Sequence, residues 1–117
     1  MENKEIVSIA VKALDNKKAE EIKVIKISEL TVMADYFIIA NGTSNTHVRA
    51  LAEEVEAELS DIGVEPRSIE GRATGWILLD YSDVVVHVFT ARDREYYNLE
   101  RLWQDGEEID VSSLIGE

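Results

Sequence analysis

The stretch that decides the fold is residues 76–89, WILLDYSDVVVHVF. Its pattern predicts two strands joined by the two-residue turn Ser82-Asp83, which places Tyr81 opposite Val84 and sets every pairing further out. One face of this hairpin is apolar with a tyrosine at its end, and we expect it to be core. The residues of this face are Ile77, Leu79, Tyr81, Val84, Val86 and Val88.

The other face of the hairpin mixes large apolar groups with one carboxylate and one imidazole. Its opposed pairs are Trp76 with Phe89, Leu78 with His87, and Asp80 with Val85. This composition suits a binding surface. It equally suits a second layer buried under helices, since burial on both sides is normal for sheets in α/β domains. The sequence leaves both interpretations open.

Length and composition indicate one domain that folds without covalent cross-links. A chain of 117 residues buries enough surface for a stable core, and it has no cysteine for a disulfide or a thiolate nucleophile. The first residues, Met1 to Glu5, do not resemble a signal peptide, and no apolar run approaches the length of a membrane span. We expect a cytoplasmic protein.

The charge balance disfavours one class of partner. With 24 acidic and 12 basic residues the net charge is −12, which repels phosphate backbones. We therefore expect direct nucleic-acid contact to be minor and a basic protein partner to fit better. Acidity also serves plain solubility, which is the more ordinary explanation for any single glutamate.

Helical and strand patterns alternate along the rest of the chain. Asn3 is expected to cap a first helix that ends near residues 15–17, and Gly42-Thr43-Ser44 to precede the longest helix, which Gly63 stops. The apolar stripe of that helix is Val48, Leu51, Ala52, Val55, Leu59 and Ile62. Further strands are predicted over residues 21–27, 35–40 and 67–70.

The chain after the hairpin is predicted to form one more helix and a tail. Thr90 with Asp93 has capping-box spacing and opens a helix over residues 94–104, with Tyr96, Leu99, Leu102 and Trp103 as its apolar stripe. Residues 105–117 carry five acids and no base, and we expect a partly ordered tail anchored by Ile109, Val111, Leu114 and Ile115. The loop 71–75, with a glycine at each end, is expected to be flexible or tightly turned.

These elements predict an α+β fold with α/β-type layers. A mixed sheet of about five strands would carry three helices packed on it. The single domain would span residues 1–104, with residues 105–117 as the acidic tail.

The turn Gly42-Thr43-Ser44 is the first candidate for chemistry. A glycine turn before a helix could hold an anion, and it is similar to the turn of nucleotidyltransferases. Those enzymes also need two carboxylates that converge on a divalent metal. Asp80 and Asp83 do not converge by strand geometry, because Asp83 lies in the hairpin turn. Ordinary helix capping is the simpler explanation of this turn.

A second candidate is the pair of Asp80 and His87, which are diagonal neighbours on the mixed face. They could exchange a proton, but no nucleophile is set beside them, and a structural histidine is the more ordinary alternative. With two histidines and no cysteine, we expect neither a zinc site of a common type nor a cofactor.

Several linked segments resemble the Iojap-like family, the bacterial ribosomal silencing factors and their organellar relatives. The segments that carry the resemblance are residues 35–44 (DYFIIANGTS), 70–71 (EG), 76–81 (WILLDY), 86–89 (VHVF) and 94–103 (REYYNLERLW). They lie in the family's order and spacing over residues 3–104. The family often has glycine where Ser82 stands and aspartate where Asn98 stands.

The resemblance implies a fold similar to nucleotidyltransferases without their metal-binding carboxylates. It also implies a non-enzymatic function, which is docking on the large ribosomal subunit through its ribosomal protein number fourteen. In the family this blocks joining of the small subunit, represses translation when nutrients are short, and is linked to large-subunit assembly.

For this chain we expect the contact surface to be the mixed face of the hairpin with the edge of the last helix. Trp76, Leu78 and Phe89 would be apolar anchors. Glu70 and Asp80 would meet lysine or arginine. The rim would be Tyr81, His87, Arg94 and Tyr97.

Two alternatives belong to other classes. A nucleotide-handling enzyme of nucleotidyltransferase type would use the turn at Gly42 with Asp80. A homodimer would hide the mixed face in its own interface.

Overall fold

A computed structural model describes residues 2–71 and 75–115. The helices are α1 (Asn3–Asn16), α2 (Asn45–Ser60), α3 (Ala91–Tyr97), α4 (Leu99–Leu102) and α5 (Val111–Leu114). The strands are β1 (Glu20–Lys26), β2 (Tyr36–Gly42), β3 (Ser68–Glu70), β4 (Trp76–Asp80), β5 (Val84–Thr90) and β6 (Glu107–Ile109). The predicted loop 71–75 lies largely outside the described residues. No helix in the described ranges has both the length and the apolar character needed to cross a membrane.

The strands form one mixed, six-stranded sheet in the order β3-β4-β5-β2-β1-β6. The pair β2–β5 at its centre is parallel, and the other neighbours are antiparallel. The α+β class with a mixed sheet is therefore confirmed. The sixth strand comes from the acidic tail, because residues 107–109 pair with the edge of β1.

The register of the hairpin is as predicted. Ile77 pairs with Val88, Leu79 with Val86, and Tyr81 donates its backbone N–H to the carbonyl oxygen of Val84 at 2.9 Å. Ser82 holds the turn at a φ of 74°, and its N–H donates to a carboxylate oxygen of Asp80 at 2.7 Å. The two-residue turn, together with the alternation of apolar side chains along both strands, was sufficient to determine this pairing.

The first face of the sheet carries the main core. Helices α1 and α2 pack against it, and the hairpin residues expected there are all buried. The tail anchors pack against the margin of the same core; they are Ile109, Val111, Leu114 and Ile115.

The ends of the first two helices differ in part from expectation. Asn3 is the first helical residue rather than the cap, and its side-chain amide donates to the Asp35 carboxylate at 2.8 Å. A cap from the Gly42-Thr43-Ser44 turn was expected for α2, from either Thr43 or Ser44; it is Ser44, whose hydroxyl accepts the N–H of His47 at 3.1 Å. Placing Ile62 on the buried stripe was wrong: α2 ends at Ser60, and Ile62 is exposed.

The second face of the sheet carries a smaller core. Its buried residues include Ile39, Val85 and Phe89, with Leu99 and Trp103 from the chain after the hairpin packed on them. Part of the mixed face is therefore a second buried layer, and part of it stays open.

The single helix predicted over residues 94–104 was wrong in its bounds. Thr90 does cap a helix, since its hydroxyl accepts the N–H of Asp93 at 3.2 Å, but the helix begins at Ala91. It breaks at Asn98, which adopts a left-handed conformation with φ 47°, before α4 begins. The break brings Leu99 and Trp103 onto the sheet, whereas Tyr96 and Leu102 of the predicted stripe stay exposed.

Candidate functional site

A shallow groove lies where the open part of the second face meets α3. Its volume is about 350 Å³. We call it the aromatic groove, and its lining residues are Glu70, Gly71, Trp76, Leu78, Asp93 and Tyr97.

Three elements bring the aromatic groove together. Strand β3 places Glu70 beside Leu78 through the antiparallel register of β3 and β4. Trp76 is the first residue of β4, and Tyr97 is the last residue of α3. The rings of Trp76 and Tyr97 lie 4.6 Å apart at an interplanar angle of 44°, so strand and helix share one aromatic wall. Trp76 and Leu78 are partly exposed, and Tyr97 is 45 % exposed.

The Trp76 ring rests on a buried layer below the groove. It stacks on Phe89 at 5.1 Å, and its indole Nε1–H donates to Nδ1 of His87 at 3.2 Å. Since Nδ1 accepts this bond, the neutral imidazole carries its proton on Nε2. Phe89 and His87 are only 1 % and 3 % exposed. They hold the Trp76 ring from below, and both expected contact residues are buried rather than open to the groove.

The imidazole of His87 is held in an apolar environment. Burial lowers the pKa of His87 to about 4, because a desolvated imidazolium is disfavoured. Its Nε2 finds no hydrogen-bond acceptor among the described residues. On its other side the ring meets Phe37 edge-on at 4.7 Å, and Phe37 meets Trp103 at 5.3 Å. The layer thus continues from the groove to the segment that follows α4.

The groove carries two carboxylates, those of Glu70 and Asp93. Glu70 is exposed and Asp93 is half-buried. Within residues 2–71 and 75–115 neither side chain forms an ion pair. The Asp93 carboxylate lies so close to Gly75 that a Cβ at that position would collide with it. A glycine at residue 75 thus leaves room for this carboxylate beside the groove.

Asp80 was expected to meet a basic partner group, but its carboxylate is already engaged within the chain. One oxygen accepts from the Arg67 guanidinium at 2.7 Å and the other from the Ser82 N–H at 2.7 Å. It does not line the aromatic groove. It instead fastens the hairpin turn to the chain before β3.

Arg94 was expected on the rim, but it is buried and acts inside the fold. Its guanidinium donates to Asn41 Oδ1 at 2.9 Å, to the carbonyl oxygen of Glu21 at 2.6 Å and to the Glu100 carboxylate at 2.8 Å. The hydrogen bond from Arg94 lowers the pKa of Glu100. These bonds join α3 and α4 to the ends of β1 and β2.

Tyr81, the remaining rim residue, lies on the first face, as the alternation of the strand requires. Burial raises the pKa of its hydroxyl, and the nearby carboxylates of Glu56 and Glu65 act in the same direction. The hydroxyl has no hydrogen-bond partner in the described part of the chain. Tyr81 is therefore separated from the groove by the sheet.

Of the expected contact residues, the structure brings four together in the aromatic groove: Glu70, Trp76, Leu78 and Tyr97. Sequence reasoning missed Asp93, which it treated only as a capping residue. The sequence did contain a signal for Asp93. Phe89 pairs with Trp76, and Thr90, the next residue, caps α3. The first turn of α3, which contains Asp93, must therefore lie beside Trp76.

The turn at Gly42 is occupied by the protein itself. His47 Nδ1 accepts the N–H of Thr43 at 2.9 Å, and His47 Nε2 bonds the carbonyl oxygen of Lys17 at 2.7 Å. On β5 the neighbour of Gly42 is Thr90 and the neighbour of Asp80 is Val85, five residues away. At 3.3 Å per residue this offsets the two by about 17 Å along the strand direction alone, and they also lie on opposite sides of β5. No cluster of three or more metal-ligating side chains occurs in the described ranges.

The fold and the groove together describe an α+β domain with an acidic, aromatic surface site. A family model described as "Ribosomal silencing factor during starvation" (RsfS) matches residues 1–117. The chain belongs to this family, and the resemblance noted in the sequence is confirmed.

Relatives and solved structures agree with this assignment. The chain is 39 % identical to ribosomal silencing factor RsfS of Halalkalibacterium halodurans over 98 % of this chain and 99 % of that protein. It is 40 % identical to RsfS of Bacillus subtilis over 95 % of each chain. It is also 33 % identical to the chloroplastic protein Iojap of Zea mays, over 90 % of this chain and 46 % of that protein.

A crystal structure from Chromobacterium violaceum superimposes with a TM-score of 0.87 at 39 % identity, covering 94 % of this chain and 92 % of that one. A second, from Bacillus halodurans, gives 0.82 at 38 % identity, covering 92 % and 99 %. The chain is thus similar to members of this family in sequence and to these two proteins in fold.

Proposed function

We propose that this chain silences ribosomes by docking, without chemistry, on the large ribosomal subunit through its ribosomal protein number fourteen. The aromatic groove is the contact surface. Membership of the silencing-factor family supports the ribosome as the target. The observation that carries the choice of surface is the partly exposed pair of Trp76 and Tyr97, preformed over a buried layer.

The groove has the chemistry of a protein-docking site. Tryptophan and tyrosine are enriched among residues that dominate binding energy at interfaces. Here Phe89 and His87 already hold the indole of Trp76 in place, so docking orders few groups and loses little conformational entropy. Leu78 extends the apolar floor beside them.

Charge supports a basic partner. The net charge of −12 disfavours direct contact with ribosomal RNA. Glu70 and Asp93 line the groove, and among the described residues their carboxylates form no ion pair. Complementary charge of this kind speeds association and weakens as salt rises.

A protein docked at the face that receives the small subunit blocks subunit joining by steric overlap. It thereby represses translation under nutrient limitation in the cytoplasm, and it is available to act during large-subunit assembly. This mechanism needs neither cofactor nor metal. The domain that docks is residues 1–104, and strand β6 of the acidic tail extends its sheet.

Sucrose-gradient co-sedimentation with separated subunits tests the proposal. The wild-type chain is expected to sediment with large subunits and to be absent from small-subunit fractions. Trp76→Ala and Tyr97→Ala should each weaken binding by about tenfold or more, as for truncated aromatic residues at interfaces. Val32→Ala is the matched control, because Val32 is fully exposed in the loop between β1 and β2 and away from the groove.

Two results would contradict the proposal. Equal binding to both subunits would exclude the large subunit as the specific target. Unchanged binding of a folded Tyr97→Ala variant would exclude the groove, and Tyr97 is the better probe because its truncation disturbs the buried layer less than that of Trp76.

A further inference from the structure

The geometry points to an arginine side chain of the partner as the occupant of the aromatic groove. The inference rests on the proposed docking function and adds the chemical group that the groove recognises. The guanidinium would stack on the outer face of the Trp76–Tyr97 pair and bond to the carboxylates of Glu70 and Asp93.

The aromatic wall defines where the cation lies. The ring centroids of Trp76 and Tyr97 are 4.6 Å apart, which leaves no space for a group between the rings. A cation must therefore lie against their solvent-facing surfaces, and Tyr97 remains 45 % exposed for this contact. Tryptophan provides the strongest cation–π surface among the aromatic side chains.

The two carboxylates of the groove favour a positively charged group as its occupant. Glu70 comes from the edge strand β3 and Asp93 from the first turn of α3, so they approach the groove from different elements. Arg67 neutralises Asp80 on the same face, yet Glu70 and Asp93 have no such internal partner in the described ranges. Two carboxylates without an ion pair in the described part of the chain, beside an aromatic wall, attract a cation from outside.

The shape of the site favours arginine over lysine. A guanidinium is planar, stacks on aromatic rings and can bond a carboxylate through two N–H groups, whereas an ammonium is a compact and strongly hydrated charge. Leu78 on the groove floor offers an apolar surface for the methylene stem of the side chain.

The decisive experiment titrates the ¹⁵N-labelled full chain with Nα-acetyl-arginine amide and follows the signals of residues 70, 71, 76, 78, 93 and 97. Nα-acetyl-citrulline amide is the matched probe, because it keeps the shape and removes the charge. Nα-acetyl-lysine amide keeps the positive charge but lacks the planar guanidinium group. We expect saturable shifts at the groove with arginine, weaker binding with lysine and none with citrulline.

Variants of the chain complete the test. Glu70→Gln with Asp93→Asn should weaken arginine binding by roughly three- to tenfold, as for loss of exposed ion pairs. Glu53→Gln with Glu58→Gln, which neutralises two exposed carboxylates of α2, should leave it unchanged. Absence of arginine shifts at the groove, equal binding of lysine, or an unaffected double variant would each overturn the inference.

The same variants on large subunits separate this inference from the proposed function. If the wild-type chain binds large subunits but Glu70→Gln with Asp93→Asn binds equally well, docking stands and the arginine assignment fails. If the wild-type chain does not bind large subunits, the proposed function fails whatever the small probes show.

Discussion

The indole Nε1–H of Trp76 donates to Nδ1 of His87 across the β4–β5 pair, at 3.2 Å. One partner of this bond is partly exposed in the groove, and the other is almost completely buried. The bond therefore connects the surface site to the interior, and it gives the histidine a role as a positioning residue.

Removing this acceptor should change the orientation of the Trp76 indole while leaving the stability of the fold nearly unchanged. His87→Leu deletes the acceptor but also removes a buried Nε2 that lacks a partner, so we expect the free energy of unfolding to change by less than about 1 kcal/mol. His87→Asn, whose Oδ1 takes the place of Nδ1, should retain the native near-ultraviolet circular dichroism, whereas His87→Leu should change the contribution that Trp76 makes to it. A native spectrum in His87→Leu would show that the bond does not orient the indole.

Stability should depend on pH through His87. The pKa of His87 is about 4 in the folded chain and about 6.5 when unfolded, so between these values the unfolded chain binds the proton and the folded chain does not. The stabilisation is complete above pH 6.5 and is lost as the pH falls toward 4, by about 3 kcal/mol in total. Urea denaturation at a series of pH values measures the free energy of unfolding of the wild-type and His87→Leu chains. Subtracting one from the other cancels the contributions of the carboxylates, which both chains share. Parallel pH profiles would contradict this prediction.

Arg94 should be a determinant of stability rather than a contact residue. Arg94→Met leaves the buried Asn41 and the carbonyl oxygen of Glu21 without their donor, and we expect a loss of about 3 kcal/mol. Arg92→Met, two residues away and exposed, should change the free energy of unfolding by less than about 0.5 kcal/mol. Similar losses in the two variants would refute the buried role.

The hairpin turn should become more stable with glycine. Ser82 has φ 74°, which a side chain disfavours, so Ser82→Gly should raise the free energy of unfolding by about 0.5–1 kcal/mol. Gly63→Ala is the reverse case, because Gly63 has φ 81° and open space around it, and it should destabilise by about 1 kcal/mol through backbone strain alone. Thermal denaturation of both variants measures the two shifts, and shifts of the same sign would be inconsistent with this explanation.

Nucleotide and magnesium ions should not stabilise the chain. The glycine turn is bridged by His47 and lies about 17 Å from Asp80 along the strand direction alone, so the two cannot form one site. A thermal melt with ATP and magnesium chloride is expected to match the melt without them. A melting temperature that rises with ligand concentration would restore the enzymatic alternative.

Local chemistry was enough to predict the central part of this fold. Alternation over residues 76–89 and a two-residue turn determine the hairpin register, because a shift by one residue would turn every apolar group to the wrong face. The cap at Ser44, the stop at Gly63 and the capping contact of Thr90 with Asp93 also followed from residues close in sequence.

Only the tertiary structure decided how the mixed face is divided. The break at Asn98 turns Leu99 and Trp103 onto the sheet, which buries Phe89 and His87 and leaves Trp76 and Leu78 open. It also assigns Arg94 and Asp80 to internal partners and Asp93 to the groove. Sequence periodicity reports which face of an element is apolar, but which neighbour covers that face depends on contacts between residues far apart in the chain.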